Sequence, residues 1–309
     1  MADVAKVTSY STVGRKEEVA DTIYDISPTA TPFQSMVGRG KISNRTFEWQ
    51  EDELDAVENV AEVEGFDPGN FDYTPTVMRS NYTQIFSRTV KVTGSTDAVQ
   101  HYGRGKESAY QLMKKSKEAK RNLEHTLVGV VQTKVLGDAS TARKMDTALS
   151  MIDASVTQTA DSGGGTADVL KYADLKAAIK KLYDAGAVEG SDRMTLMIPP
   201  AAADDVASWG LSATNGVATR EIGNKTELVD VIDLIRTPWG IVRVVQNRWL
   251  NSGDALIFDP SNWSVQWMRP WNRQELAKTG DARRWLLVGE CSLKHNNFRS
   301  TGRVTNLSY

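Results

Sequence analysis

The sequence predicts an α+β protein of two lobes, and three observations carry that expectation. Residues 106–136, KESAYQLMKKSKEAKRNLEHTLVGVVQTKVL, hold no Pro and one Gly, and Ala109, Leu112, Met113, Ala119, Leu123, Leu127, Val130 and Val131 recur at three- and four-residue spacing. That period predicts one long amphipathic helix of roughly 45 Å, stopped at Gly137, as the spine of the first lobe. Residues 42–50 and 77–93 instead alternate apolar and polar positions, as strands do. Between the two lies EDELDAVENVAEVEGFDPGNFDYTP, with nine carboxylates and neither Lys nor Arg. Finally, TADSGGGTAD at 159–168 predicts a flexible joint, followed by a helix and a series of β-prone runs that make the second lobe.

In chain order, 1–13 are small and polar and read as an arm that orders only against something else. GRKEEVADTIYDI predicts a short helix ended by Ser27 and Pro28, and Thr31-Pro32 starts another that Gly38 and Gly40 close. After the paired strands, Gly94 leads into a short helix, DAVQHYG, before the spine. The second lobe opens with VLKYADLKAAIKKLYDAGA, stopped by Gly186, then a strand MTLMI and a helix AAADDVASWG. Strands are expected at 228–236 and 241–247, joined by the TPWG turn, and at 255–258, 263–268 and 284–295. RSTGRVTNLSY reads as a polar tail anchored by Val304 and Leu307.

At 309 residues, 40% hydrophobic and 25% charged, the chain holds enough apolar surface for a real core. A formal net charge of −2 argues against a dedicated nucleic-acid binder, which needs clustered Lys and Arg. One cysteine, Cys291, excludes an internal disulfide framework and a cysteine zinc site. No run approaches a membrane span, and no membrane partner is expected.

No catalytic constellation emerges. Gly103, Gly105 and Lys106 resemble the end of a phosphate-binding loop, but Glu107 stands where Ser or Thr should follow. His101, His125 and His295 are far apart with no ligand spacing around them, and Cys291 sits mid-strand among apolar neighbours. The acid pairs Asp204/Asp205 and Asp230/Asp233 read as solvated. No enzyme activity, metal or cofactor is therefore expected. Trp and Arg interleave from Arg236 to Trp285, which suits either single-stranded nucleic acid or packing and subunit contacts; the contacts are the commoner use.

The order SPTATPFQSMVGRGK, NRTFEWQEDEL, RSNYTQIFSRTVKVTGSTDAV and then the Lys-rich spine is similar to a family of tailed-phage major capsid proteins with the Hong Kong 97-type fold. The likeness is specific over the first half of the chain and one of order and length beyond Thr166. It implies an N-terminal arm (1–41), an extended β-hairpin loop (42–93), a peripheral domain with the spine helix (94–165), an axial domain (166–268), and C-terminal strands returning to the peripheral domain (269–309). It further implies self-assembly into hexamers and pentamers of an icosahedral head that encloses double-stranded DNA without sequence specificity. The chain would then reside in the virion after assembly in the host cytoplasm. A separate scaffolding protein, a portal protein and an optional decoration protein are the implied partners. The absence of Lys from 54–75 implies non-covalent assembly. A cellular nanocompartment shell with the same fold is the alternative.

Residues and resemblance meet in one expected interface. The ribbon is too apolar to stand free and its end is acidic, whereas the spine carries Lys114, Lys117 and Arg121. The expectation is that Glu58, Glu62 and Glu64 of one subunit lie over that basic face of the next, while Trp49 and Phe86 bury against the same neighbour.

Overall fold

The computed structural model describes residues 27–54, 57, 59, 61, 63–67, 69, 74–188, 193–209, 219–222, 225–228 and 233–309, with backbone alone at 219–222 and 225–228. The arm up to residue 26 and its expected helix lie outside the described residues.

The chain begins with α1 (Pro32–Met36), and Gly38 and Gly40 do not end it in a loop but form β1 (Gly38–Lys41). Strands β2 (Thr46–Glu51) and β3 (Val77–Tyr82) make the ribbon, β4 (Gln84–Thr93) follows, and α2 (Gly94–Ala98) leads to α3 (Glu107–Glu124). The second half holds β5 (Thr157–Thr159), α4 (Tyr172–Asp184), β6 (Met194–Ile198), α5 (Ala203–Ser208), β7 (Thr219–Ile222) and β8 (Lys225–Leu228). It ends with β9 (Leu234–Thr237), β10 (Gly240–Gln246), β11 (Ala255–Phe258), β12 (Trp263–Leu276), β13 (Ala282–His295) and β14 (Thr301–Thr305).

The spine is shorter than its periodicity suggests. α3 stops at Glu124, passes through one π turn over His125–Gly129, and Val130 is already extended at φ −129°, ψ 136°. Gly129 marks the place because a β-carbon there would lie 2.3 Å from the Trp249 carbonyl oxygen, closer than any side chain tolerates. The following VVQTKV is dominated by β-branched residues, which favour the extended form. Gly137, at φ 70°, shapes a turn between short extended segments instead of stopping a helix.

A four-stranded sheet, in the order β1-β12-β13-β4, underlies α3. Val90, Val92 and Trp285 from this sheet meet Leu112 of the helix. β12 carries two register shifts between Trp267 and Asn272, and Pro270 falls where β12 has run past β1 and has become an edge. The run 77–93, read as one strand, is two. It bends at Thr83, so that β3 pairs with β2 while β4 leaves the ribbon and pairs with β13.

The other sheet has six strands in the order β5-β14-β11-β6-β10-β9. Alternation along its middle strands explains their unbroken apolar sequences. Leu196 and Ile198 of β6 and Ile257 of β11 face a core with Leu175, Ile179 and Leu182 of α4. Met197, Leu256 and Phe258 point the other way, into a core shared with Leu123 and Leu127 of the spine, Phe33 of α1, and Trp263. The sheet is thus a wall common to both lobes. The C-terminal residues are no loose tail: β14 lies between β5 and β11, with Val304 fully buried. The triple glycine is a tight turn with φ of 125°, 69° and 84°, in which Asp161 accepts from Gly163 N and Gly165 N at 2.8 and 3.0 Å. It joins two segments on the rim of one sheet rather than two lobes, since Thr159 pairs with Thr305 and Asp168 with Leu307.

Candidate inter-subunit surface

The ribbon is built by β2 and β3 in register from Thr46 opposite Tyr82 to Glu51 opposite Val77. Its base is fastened to its own chain. Trp49 is 8% exposed, stacks on Phe47 at 5.4 Å and tilts onto Phe298 at 6.3 Å. Glu51 accepts from Arg79 Nε at 2.8 Å and from Phe298 N at 3.1 Å, and the Arg79 guanidinium lies 4.4 Å above the Phe298 ring. Asn81, fully buried, donates to Leu293 O at 2.7 Å and accepts from Asp146 N at 2.8 Å. Trp49 therefore packs against its own subunit, contrary to the expectation that it would seek a neighbour.

At the bend, Thr83 donates its hydroxyl to Glu290 at 2.6 Å. Glu290, almost wholly buried, also pairs with Arg143 and, at 2.7 Å, with Arg269. Burial raises the Glu290 pKa, but the hydrogen bonds from Thr83 and Arg269 and the charges of Arg143 and Arg269 outweigh it and hold the carboxyl below its ordinary value. Arg143 closes the arrangement by donating to Thr83 O at 2.5 Å.

Just past β2, Glu53 accepts from Arg299 Nη1 at 2.7 Å, and beyond it the described apolar side chains stand in solvent. Leu54 is 99% exposed, Val57 103%, Val63 77% and Phe66 50%. A turn closed by Phe66 N donating to Val63 O at 3.1 Å, with Gly65 at φ 84°, shapes this end. Glu64 is exposed within that turn; Glu58 and Glu62 lie outside the described residues.

On α3, Lys114 and Lys117 are exposed and Arg121 is half-buried, its guanidinium 5.5 Å above the Trp249 ring. These three residues share a small cavity of about 130 Å³ with Ser27, Pro28 and Thr29 of the chain's own arm. The basic face is thus partly shared with the arm. Phe86, expected on the ribbon, belongs to β4 and sits half-buried, 6.4 Å from Trp271.

Sequence reasoning missed what holds the arm. Glu124 is fully buried and accepts from Phe33 N (2.7 Å), Gln34 N (3.0 Å), Gln34 Nε2 (3.0 Å) and Asn247 Nδ2 (2.8 Å). One carboxylate so joins the arm, the spine and the six-stranded sheet. Desolvation nonetheless raises its pKa against those four bonds. Its sequence context, a Glu among lysines, resembles any solvated helix position. Among the described residues, no group of three or more His, Cys, Asp or Glu is placed to hold a metal ion, and no helix is long and apolar enough to cross a membrane. Cys291 is fully buried, which raises its thiol pKa well above the ordinary value.

A long helix over a four-stranded sheet, a protruding ribbon and a second, helix-covered sheet define the Hong Kong 97-type capsid fold. The chain is similar to the capsid protein of Cyanophage A-1(L), with a TM-score of 0.68 at 11% identity over 98% of this chain and 100% of that one. It is also similar to the SrpI encapsulin of Synechococcus elongatus PCC 7942, with a TM-score of 0.58 at 10% identity over 96% and 93% of the two chains. At such identities the likeness speaks for the fold alone. The chain belongs to the SU10 major capsid protein family, whose profile matches residues 6–308. It is 31% identical over 347 aligned positions to the major capsid protein of Escherichia phage Phieco32, covering 98% of this chain and 97% of the relative. Its function is accordingly that of a phage major capsid protein, and the encapsulin alternative carries less support.

Proposed function

We propose that this chain assembles, as hexamers and pentamers, into an icosahedral head around double-stranded DNA, and that its role is structural and not catalytic. The four-stranded sheet with α3 serves as the peripheral domain, the six-stranded sheet with α4 and α5 as the axial domain, and residues 46–82 as the extended loop. The head forms in the host cytoplasm with a separate scaffolding protein and a portal, and an optional decoration protein joins the virion. One observation carries the reading beyond family membership: the acidic, apolar end of the ribbon is exposed while its base is fixed. That end finds cover on the next copy, where Glu64, with Glu58 and Glu62, approaches Lys114, Lys117 and Arg121. Trp49 leaves the contact set because its own chain covers it. Repeated head-to-tail contacts of this kind close into rings. Electron microscopy of the expressed protein, with the scaffolding protein supplied, tests the reading: closed shells are expected. Material that stays monomeric at high concentration, with the ribbon folded onto its own body, would overturn it.

A further inference from the structure

Where β1 comes beside the six-stranded sheet, the core shared by the two lobes stops short and leaves a cleft of about 690 Å³. The strand sequences explain why. Val242 and Val244 of β10 and Met194 and Leu196 of β6 pack towards α4, so Arg243, Val245, Thr195 and Met197 lie on the opposite face of the sheet. On that face Val245 pairs with Met197, which belongs to the core shared with the spine, and two residues along Arg243 pairs with Thr195. The wall thus turns from apolar to cationic within one repeat of the pleat, and a lone Arg interrupts the run IVRVV. Arg39 of β1 lines the same cleft from the other sheet, Arg193 lines it too, and Ser261, Ser264 and Gln266 add hydroxyl and amide groups. The carboxylate among these lining residues is Asp259, whose Oδ1 already accepts from Ser261 N at 2.9 Å. Arg39 and Arg243 are exposed, and among the described residues neither forms an ion pair.

We infer that this cleft binds a compact polyphosphate anion, of the size of inorganic triphosphate, between Arg39 of one sheet and Arg243 of the other. The inference concerns the single subunit and stands apart from the shell reading. Like charges brought to one concavity repel, and an anion seated between them relieves that repulsion. Guanidinium groups are suited to this because their planar forks meet phosphate oxygens two at a time. The hydroxyls of Thr195, Ser261 and Ser264 and the Gln266 amide supply donors for the remaining oxygens. A volume of about 690 Å³ falls within the range of roughly 300–1,000 Å³ usual for small-ligand sites. Thr195, only 4% exposed, lies at the bottom, where a small anion reaches and the broad, rigid outer edge of a DNA duplex does not. Because the two arginines belong to different sheets, the bound anion acts as a clamp across the junction of the lobes.

Unassembled subunits titrated with sodium triphosphate at low ionic strength should bind a single equivalent by calorimetry, and their melting temperature should rise with triphosphate concentration. Arg39→Gln and Arg243→Gln should each weaken binding about tenfold or more, as the loss of a charged hydrogen-bonding partner does, while the ligand-free melting temperature stays the same. Lys180→Gln, on the exposed side of α4, should bind as the unaltered chain does. Absence of saturable binding would overturn the site, and so would equal weakening by all three substitutions, which marks diffuse attraction to a positive surface. A short DNA duplex at the same phosphate concentration should bind the unaltered chain and the two Arg variants alike. If the substitutions abolish duplex binding and leave triphosphate binding intact, the arginines serve nucleic acid and the small-anion site is refuted. Should a variant fail to fold, phenylglyoxal labelling of the unaltered subunit decides: triphosphate must protect Arg39 and Arg243, read by peptide mass spectrometry, and equal labelling with and without it refutes the site.

Discussion

His295 is enclosed on both faces, stacked 3.8 Å from Trp263 and 5.8 Å from Phe298. Burial pushes its pKa down to about 3 from an ordinary 6.5. The sign follows from proton counting: between these values the unfolded chain binds a proton that the folded chain refuses. The stability contributed by neutral His295 is therefore complete above pH 6.5 and drains away as pH falls towards 3, at about 1.4 kcal/mol per pH unit. His295→Phe retains the stack and removes the titration. Thermal melts of unassembled subunits from pH 7 to 4 should show a shallower acid decline for the variant by about one proton; parallel curves would contradict it. The opposite contribution of Glu124, whose raised pKa favours the fold at lower pH, is common to both proteins and cancels in the comparison. Such single-residue roles are the least legible in a sequence. A buried His, a buried Glu and a solvated one look alike, because burial is conferred by residues tens or hundreds of positions away.

At the scale of elements, local pattern identified α4, β6 and β11 correctly, α4 by its one apolar face and β6 and β11 by short unbroken apolar runs. It failed where contact partners intervene. Apolar positions at 127, 130 and 131 continue the spine's period, yet Trp249 approaches so closely at Gly129 that the helix ends. The alternating run 77–93 does not disclose that its two halves pair with different partners, one of them about two hundred residues away. The bend between them depends on the buried group of Glu290, Arg143 and Thr83. Removing one partner of a buried pair strands the other charge, at a typical cost of about 3–5 kcal/mol. Glu290→Ala and Arg143→Ala should each lower subunit stability by roughly that amount in urea denaturation. Arg269→Ala, whose side chain is 53% exposed, should cost less than about 1 kcal/mol. Equal effects for all three would show that the bend is held by something else.

For the molecule as a whole, the fold family followed from the motifs of the first half and their resemblance, but the sheet order did not. Nothing local in RSTGRVTNLSY says that it completes a sheet begun at residue 157. Capsid membership is legible at this scale because the ribbon end combines acidic and apolar residues in 51–75, and its described apolar side chains Leu54, Val57, Val63 and Phe66 are exposed. An exposed charge pair contributes only about 0.2–1 kcal/mol, so in the proposed contact the acids would govern register and orientation more than affinity. In the proposed pairing, reversing Glu58, Glu62 and Glu64 to Lys sets like charges against Lys114, Lys117 and Arg121, and repulsion repeated around each ring should leave soluble subunits or aberrant particles. Reversing those three cations to Glu in the same chain restores opposite signs and should recover closed shells in part, as read by sedimentation and electron microscopy. Rescue separates a pairing from mere damage to the subunit. Normal shells from the triple Glu→Lys chain, or no recovery in a six-fold variant that still folds, would move the acidic end off the spine.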